Sequence, residues 1–242
     1  MQLIVLLLIC VVTDSQLTYD IGMNTGGDTD HMLSRGFRVV AVEANPILAA
    51  SVKHPNLTVI NKGIDESNGE MMVFWMNTHD VFSSFIKDLG CRTGSIDWVC
   101  EYCECTPLNI TTITCDSIVQ QYGKAHYMKV DIEGRDRACL SSLQKIHMND
   151  RPDIVSVETR RTDEWKDLLL SLGYCAVKLV DQSPFNTNGK QWSGPFGHRA
   201  KHLDGTMRWR RTEHASFTCP DNTWCDLHAK LCKRDPDGKH VA

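Results

Sequence analysis

Residues 18–46 read TYDIGMNTGGDTDHMLSRGFRVVAVEANP, and this stretch decides how the rest of the chain is read. Its pattern is an apolar strand, a glycine-rich loop with Asp20, Gly22, Asn24 and Gly26, a helix, and a second strand over Phe37–Val42 that ends on Glu43. Glycine adopts backbone angles closed to other residues, so Gly22 and Gly26 let the main chain come close to a ligand. Glu43 stands at the carboxyl end of its strand, where a carboxylate can accept both hydroxyls of a ribose and faces a cleft. The unit reads as a nucleoside-binding site; the plainer reading is a glycine-rich turn without a ligand.

What the loop lacks narrows the ligand. Dinucleotide sites use G-x-G-x-x-G, whose middle glycine admits the pyrophosphate. Here Asn24 holds that position in Gly22-Met23-Asn24-Thr25-Gly26-Gly27. A pyrophosphate is therefore disfavoured, and with it a nicotinamide-dependent dehydrogenase. S-adenosylmethionine keeps the ribose but carries an amino acid instead of phosphates, and the polar Asn24 and Asp20 suit its ammonium and carboxylate.

Three further segments follow in order: Val42-Glu43-Ala44-Asn45-Pro46, Tyr127-Met128-Lys129-Val130-Asp131-Ile132-Glu133-Gly134, and Val155-Ser156-Val157-Glu158. Together with the Asp20-x-Gly22-x-Asn24-x-Gly26 loop, they resemble the ordered motifs of the FkbM family of S-adenosylmethionine-dependent methyltransferases, over about residues 18–210. Four motifs in order are more specific than any one. The resemblance implies O-methylation on a Rossmann-like sheet, commonly of sugars or sugar-bearing natural products. It also implies a cofactor site at Asp20, Gly22, Asn24, Gly26, Glu43, Ala44 and Asn45, with a glycan or small hydroxylated metabolite as acceptor.

With 242 residues, 42% hydrophobic and 23% charged, the chain suits one α/β domain with additions. The net charge of -4 offers no basic footprint for nucleic acid. Leu3–Val12 is an apolar run too short to span a bilayer but of the length of a signal-peptide core. Residues 1–16 are read as a signal peptide, which places the protein in the secretory lumen or outside the cell with no stable membrane span after cleavage. An uncleaved leader acting as an anchor, or a buried first helix, is the alternative, because no Lys or Arg precedes the run and Thr13–Gln16 is a poor cleavage site.

Eleven cysteines point the same way. Such density suits disulfides in an oxidising compartment, and one is expected within Cys91–Cys115. Cys100-x-x-Cys103 also has a zinc-ligand spacing, but no second Cys-x-x-Cys follows it. Two N-x-T sequons, at Asn56 and Asn109, are compatible with secretion.

The expected fold class is α/β, a Rossmann-like doubly wound, mostly parallel sheet with helices on both faces. Strands are expected at 57–61, 70–76, 108–114, 125–130, 153–157 and 175–180, with helices at 116–122, 135–146 and 163–172. The strand at 70–76 is expected in the main sheet. The methyltransferase domain is expected to cover 17–182, capped by an irregular Cys-, Trp- and His-containing extension over 183–242. Residues 79–107 lose periodicity and read as a lid over the acceptor.

Asp20, Glu43, Asp131, Glu133 and Glu158 each follow a different strand, on the side of an open α/β sheet where ligands bind. Methyl transfer to an alcohol needs a base and precise positioning. Glu133 and Glu158 are the leading candidates, with Asp131 and His79 secondary. No metal is expected, although a pair of these acids resembles a divalent-ion site. Lys129 can compensate buried charge. Trp192, Phe196 and Trp209 can stack on a sugar or simply cap the core, and Arg160 and Arg161 can bind an acidic group or form surface pairs. A secreted binding protein that keeps the fold without catalysis is the rival reading.

Overall fold

A computed structural model of the protein describes residues 15–92, 104–181, 209–219, 225–234 and 240–241. The first strand, β1 (Leu17–Ile21), is buried along its whole length. Helix α1 (Gly27–Ser34) follows, with Asp28 and Asp30 in its first turn, where carboxylates complement the helix dipole. After β2 (Arg38–Val42) comes the short helix α2 (Pro46–Ala49), opened by Pro46 at its start and capped by Asn45, whose side chain accepts from the Ile47 N–H at 3.0 Å. Next are β3 (Leu57–Ile60), β4 (Gly63–Ile64), β5 (Met71–Asn77), α3 (Lys87–Gly90), β6 (Cys105–Ile113) and α4 (Cys115–Tyr122). The chain continues with β7 (Tyr127–Val130), α5 (Asp136–Ser142), β8 (Ile154–Glu158), α6 (Asp163–Ser171), β9 (Tyr174–Asp181), β10 (Arg210–Arg211) and β11 (Cys225–Leu231).

The main sheet has eight strands in the order β10-β9-β11-β8-β7-β1-β2-β3. The run from β3 through β8 is parallel, while β11 lies antiparallel between β8 and β9. The sheet is thus α/β and mostly parallel but of mixed orientation. From β1 the chain first builds outward through β2 to β3, then returns to add β7 and β8 on the other side of β1. That reversal falls at the carboxyl ends of β1 and β7, the usual ligand position in such sheets.

One apolar cluster joins Tyr19, Ile21, Val40, Met128 and Val157 to Ile118 of α4, Leu140 of α5 and Leu169 of α6. A second joins Val39, Ala41 and Tyr127 to Met32 and Leu33 of α1. Alternate residues of the same strands feed the two clusters, so helices pack on both faces.

Two expectations are corrected. The strand at 70–76 does not join the main sheet; β5 pairs antiparallel with β6, which starts three residues earlier than expected, and β4 pairs parallel with β6 in a separate three-stranded sheet. Its alternation of exposed and covered residues explains this, because a strand with one wet face fits an antiparallel pair better than a sheet buried on both faces. Nor is the C-terminal extension only an irregular cap. Cys225, Leu227 and Ala229 alternate with Asp226, His228 and Lys230, a period-two pattern that puts β11 inside the sheet with its apolar side in the core. A boundary at 182 therefore cuts through the sheet.

Among the described residues there are four disulfides: Cys91–Cys105, Cys115–Cys139, Cys175–Cys232 and Cys219–Cys225. The first lies within the expected window. Zinc binding has no support among the eight cysteines engaged here, and Cys100 and Cys103 lie outside the described residues. No helix among the described residues is long and apolar enough to cross a membrane. Residues 1–14 of the stretch 1–16 read as a signal peptide, and Trp192 and Phe196, also lie outside them.

Candidate functional site

The loop after β1 is held by its neighbours. The N–H groups of Gly22 and Met23 both donate to the Val42 carbonyl, at 2.9 and 3.0 Å, and bend the chain across the end of β2. Gly22 has φ +92°, and a side chain added there would meet the Asp131 carbonyl oxygen at 1.9 Å. Only glycine fits where β1 leaves the sheet beside β7. Gly26, at φ +88°, starts α1, and a side chain there would strike Val52.

Glu43 is 8% exposed and braces two loops at once. Its carboxylate accepts from the Asn24 N–H at 2.7 Å and from the Asn45 N–H at 2.8 Å. Burial raises its pKa, and those backbone donors oppose the shift. Ala44 lies between Glu43 and Asn45, its carbonyl accepting from the Asn61 amide at 3.1 Å. The Asn24 side chain is turned onto the Thr25 N–H within its own loop, and Asn24 has a left-handed φ of 50°. Asn24 and Asn45 therefore shape the backbone that a ligand would meet.

Asp20 is completely buried. One carboxylate oxygen accepts from the Thr29 hydroxyl at 2.6 Å, and the other lies 4.0 Å from the Lys129 ammonium without a hydrogen bond among the described residues. Burial pushes the Asp20 pKa upward. Lys129 is the charge that makes this burial tolerable, also lying 2.6 Å from Asp28 and 3.3 Å from Asp131. Burial alone would lower its pKa, but the three carboxylates hold it well above the usual lysine value. Asp28 is a partner the sequence reading missed; the signal is its place in the first turn of the helix that the glycine loop opens.

Beyond Lys129, the strand ends converge. One carboxylate oxygen from each of Asp131, Glu133 and Glu158 lies within 4.8 Å of the others. Such a triad can hold a divalent cation, or bind and deprotonate a hydroxyl. Burial pushes Glu133 up to about 7, with Asp131 and Asp136 adding repulsion and Arg92 opposing it. Glu158 reaches solvent, yet protein surrounds most of it; desolvation raises its pKa first, and Asp131, Glu133 and Asp136 add to the rise. Asp226, opposite Glu158 on β11, is raised by burial and by Asp131. The alternating polar pattern of 225–231 was the available signal for it, hidden by the composition of the C-terminal region.

The backbone holding Glu133 is unusual. Glu133 has φ 50°, a conformation costly for a residue with a side chain unless its surroundings hold it there. The Asp136 carboxylate accepts from the N–H groups of Ile132 and Gly134, and the Ser84 hydroxyl donates to the Glu133 carbonyl at 2.7 Å. Ser84 also exchanges backbone hydrogen bonds with Trp75 of β5, so the start of the expected lid is tied to the acid cluster. His79 is not brought in: it is exposed, its ring lies 4.9 Å from that of Phe82, and its N–H donates to Asn77. Arg161 pairs with Asp163 on the surface, as in the plainer reading, and Lys178 lies over the Trp209 ring at 5.2 Å.

A model of the methyltransferase FkbM domain matches residues 20–175, well over half of the chain. The chain belongs to the FkbM methyltransferase family. Its match begins at Asp20 and takes in Glu43, Asp131, Glu133 and Glu158, the residues that define the site. No curated protein matches the chain. Family membership points to methyltransferase activity.

The raised carboxylates give this domain a pH signature. A group whose folded pKa lies above its unfolded value stabilises the fold fully below the unfolded value, and that contribution is lost as pH rises through the folded one. For Glu133 the window runs from about 4.5 to about 7, and Asp20, Glu43, Asp136, Glu158 and Asp226 shift in the same direction. The thermal midpoint of the ligand-free protein is expected to fall from pH 5 to pH 8. Glu133→Gln should flatten the profile, whereas a midpoint that rises over this range would contradict the charge arrangement.

Proposed function

We propose that the protein is an S-adenosylmethionine-dependent O-methyltransferase that works in the secretory pathway on a hydroxyl of a glycan or small hydroxylated metabolite. The observation that carries this reading is the meeting of the Gly22 loop, the Glu43 brace and the Asp131–Glu133–Glu158 triad at the strand reversal. The reversal and the two-faced helix packing also support the Rossmann-like, doubly wound reading of the fold.

The residues fit S-adenosylmethionine. The bare backbone at Gly22, the carboxylate of Glu43 and the polar loop at Asn24 would receive a nucleoside with an amino-acid tail. Ala44 and Asn45 would border its adenosine end. Bound, the cofactor supplies an electrophilic methyl group on a sulfonium. Glu133 accepts the acceptor's hydroxyl proton at its carboxylate, and Glu158 orients that hydroxyl. Lys129 pairs with Asp131 at 3.3 Å, and burial, with repulsion from Asp131 and Asp136, raises Glu133 toward neutral pH, where a general base is most effective. Below about 7 Glu133 is protonated and transfer is suppressed; above it the base is free.

Glu43→Ala tests the cofactor half of this reading. It is expected to weaken S-adenosylhomocysteine binding by about 1–3 kcal/mol, the scale for hydrogen bonds to a charged group. Because the carboxylate also holds the Asn24 and Asn45 N–H groups, folding stability should fall as well, contrary to the expectation of a residue that merely faces the cleft. Calorimetry on the folded variant with affinity unchanged would remove Glu43 from the site. The dehydrogenase reading is disfavoured by Asn24 in the loop. The non-catalytic reading is disfavoured by the convergence of Asp131, Glu133 and Glu158, since crowding acids this close together is costly for a protein with no use for them.

A further inference from the structure

The sequon Asn56-Leu57-Thr58 is unused by the site, and its position is informative. Asn56 lies in the turn leading into β3, and both Asn56 and Thr58 are exposed. The Asn56 backbone is anchored: its N–H donates to His54 Nδ1 at 3.1 Å, and its carbonyl accepts from Val39 at 2.8 Å. The Asn56 carboxamide makes no hydrogen bond among the described residues, so a group attached there displaces nothing. β3 ends the sheet order, leaving one side of the uncharged strand LTVI without a strand partner among the described residues. Such edges invite pairing with other chains and are usually shielded. The second sequon is placed differently, with Asn109 in the middle strand of the side sheet directly opposite Val73.

We propose that Asn56 is an N-linked glycosylation site, and that its oligosaccharide shields the free edge of β3. This rests on the secretory reading of the protein, which the four disulfides support. The donor is an oligosaccharide headed by N-acetylglucosamine on a polyisoprenyl diphosphate, supplied with its transferase by that compartment. The Asn56 side-chain nitrogen forms a bond to the sugar's anomeric carbon as the bond from that carbon to the diphosphate oxygen breaks. The lipid diphosphate leaves with the electron pair, and the amide proton passes to a base on the transferase. Thr58 supplies the hydroxyl by which the acceptor sequence is recognised.

The test is expression of the full chain in animal cells, followed by peptide mapping after glycan removal by an amidase in heavy-oxygen water. The expected result is conversion of Asn56 to labelled aspartate in disulfide-bonded protein. Asn56→Gln and Thr58→Ala should each abolish that modification, and Asn109→Gln should leave it in place. An unmodified Asn56 peptide in disulfide-bonded protein would overturn the proposal while leaving the methyltransferase reading intact. Full-length chain recovered from the cytosol with reduced cysteines and no sugar would overturn both the proposal and the compartment on which it rests.

Discussion

Glu133→Gln is expected to keep its affinity for S-adenosylhomocysteine while slowing methyl transfer about 10²–10⁴-fold, the usual contribution of a general base. The substitution preserves size and most hydrogen bonding but removes the group that takes the proton. Glu133 belongs to the triad with Asp131 and Glu158, and burial with like-charge repulsion sets it at about 7. Its backbone is fixed independently of its carboxylate by Asp136 and Ser84, so the variant should keep its loop. Removing a strained-up carboxylate should also stabilise the fold slightly at pH 8. The assay needs an acceptor, found by screening hydroxylated sugars with labelled S-adenosylmethionine. Parental transfer rates in a folded Glu133→Gln protein would exclude it as the base and pass that role to Glu158.

Replacing Cys115 and Cys139 together by Ala is expected to lower unfolding stability by about 3 kcal/mol, from the loop-closure scaling for a bridge of this span. The two cysteines are 24 residues apart, join α4 to α5, and are both fully buried in the main apolar cluster. Losing the bridge frees the unfolded chain and removes sulfur from a packed interior. Urea unfolding of the oxidised parent against the double variant measures the loss. A difference below about 1 kcal/mol would mean that the bridge adds little to a helix pair already held by its packing.

The β1 loop was legible from sequence because glycine spacing and a terminal acid are local signals, and Gly22 and Glu43 hold the backbone positions expected of them. Asp131, Glu133 and Glu158 were legible as strand-end residues of a parallel sheet, but their convergence depends on strand order, which no local pattern carries. The charges around the buried Asp20 were only partly legible: Lys129 could be read as a compensating cation, whereas Asp28 is hidden in the helix that follows the loop. β11 escaped notice for a related reason: its alternation is short, and its strand pairing with β8 and β9 is long-range. β5 was correctly recognised as a strand but assigned to the wrong sheet, since local apolarity does not say which partner a strand takes. His79 carried only the general reactivity of its residue type, and the fold leaves it on the surface.

Whether the strand ends at the β1–β7 reversal hold S-adenosylmethionine is answered by isothermal titration of the purified, disulfide-bonded protein with S-adenosylhomocysteine and then with NAD. The expected result is saturable binding of one S-adenosylhomocysteine per chain, weakened by Glu43→Ala, and no heat from NAD. Binding of NAD in its place, or no binding of S-adenosylhomocysteine to the folded protein, would contradict it.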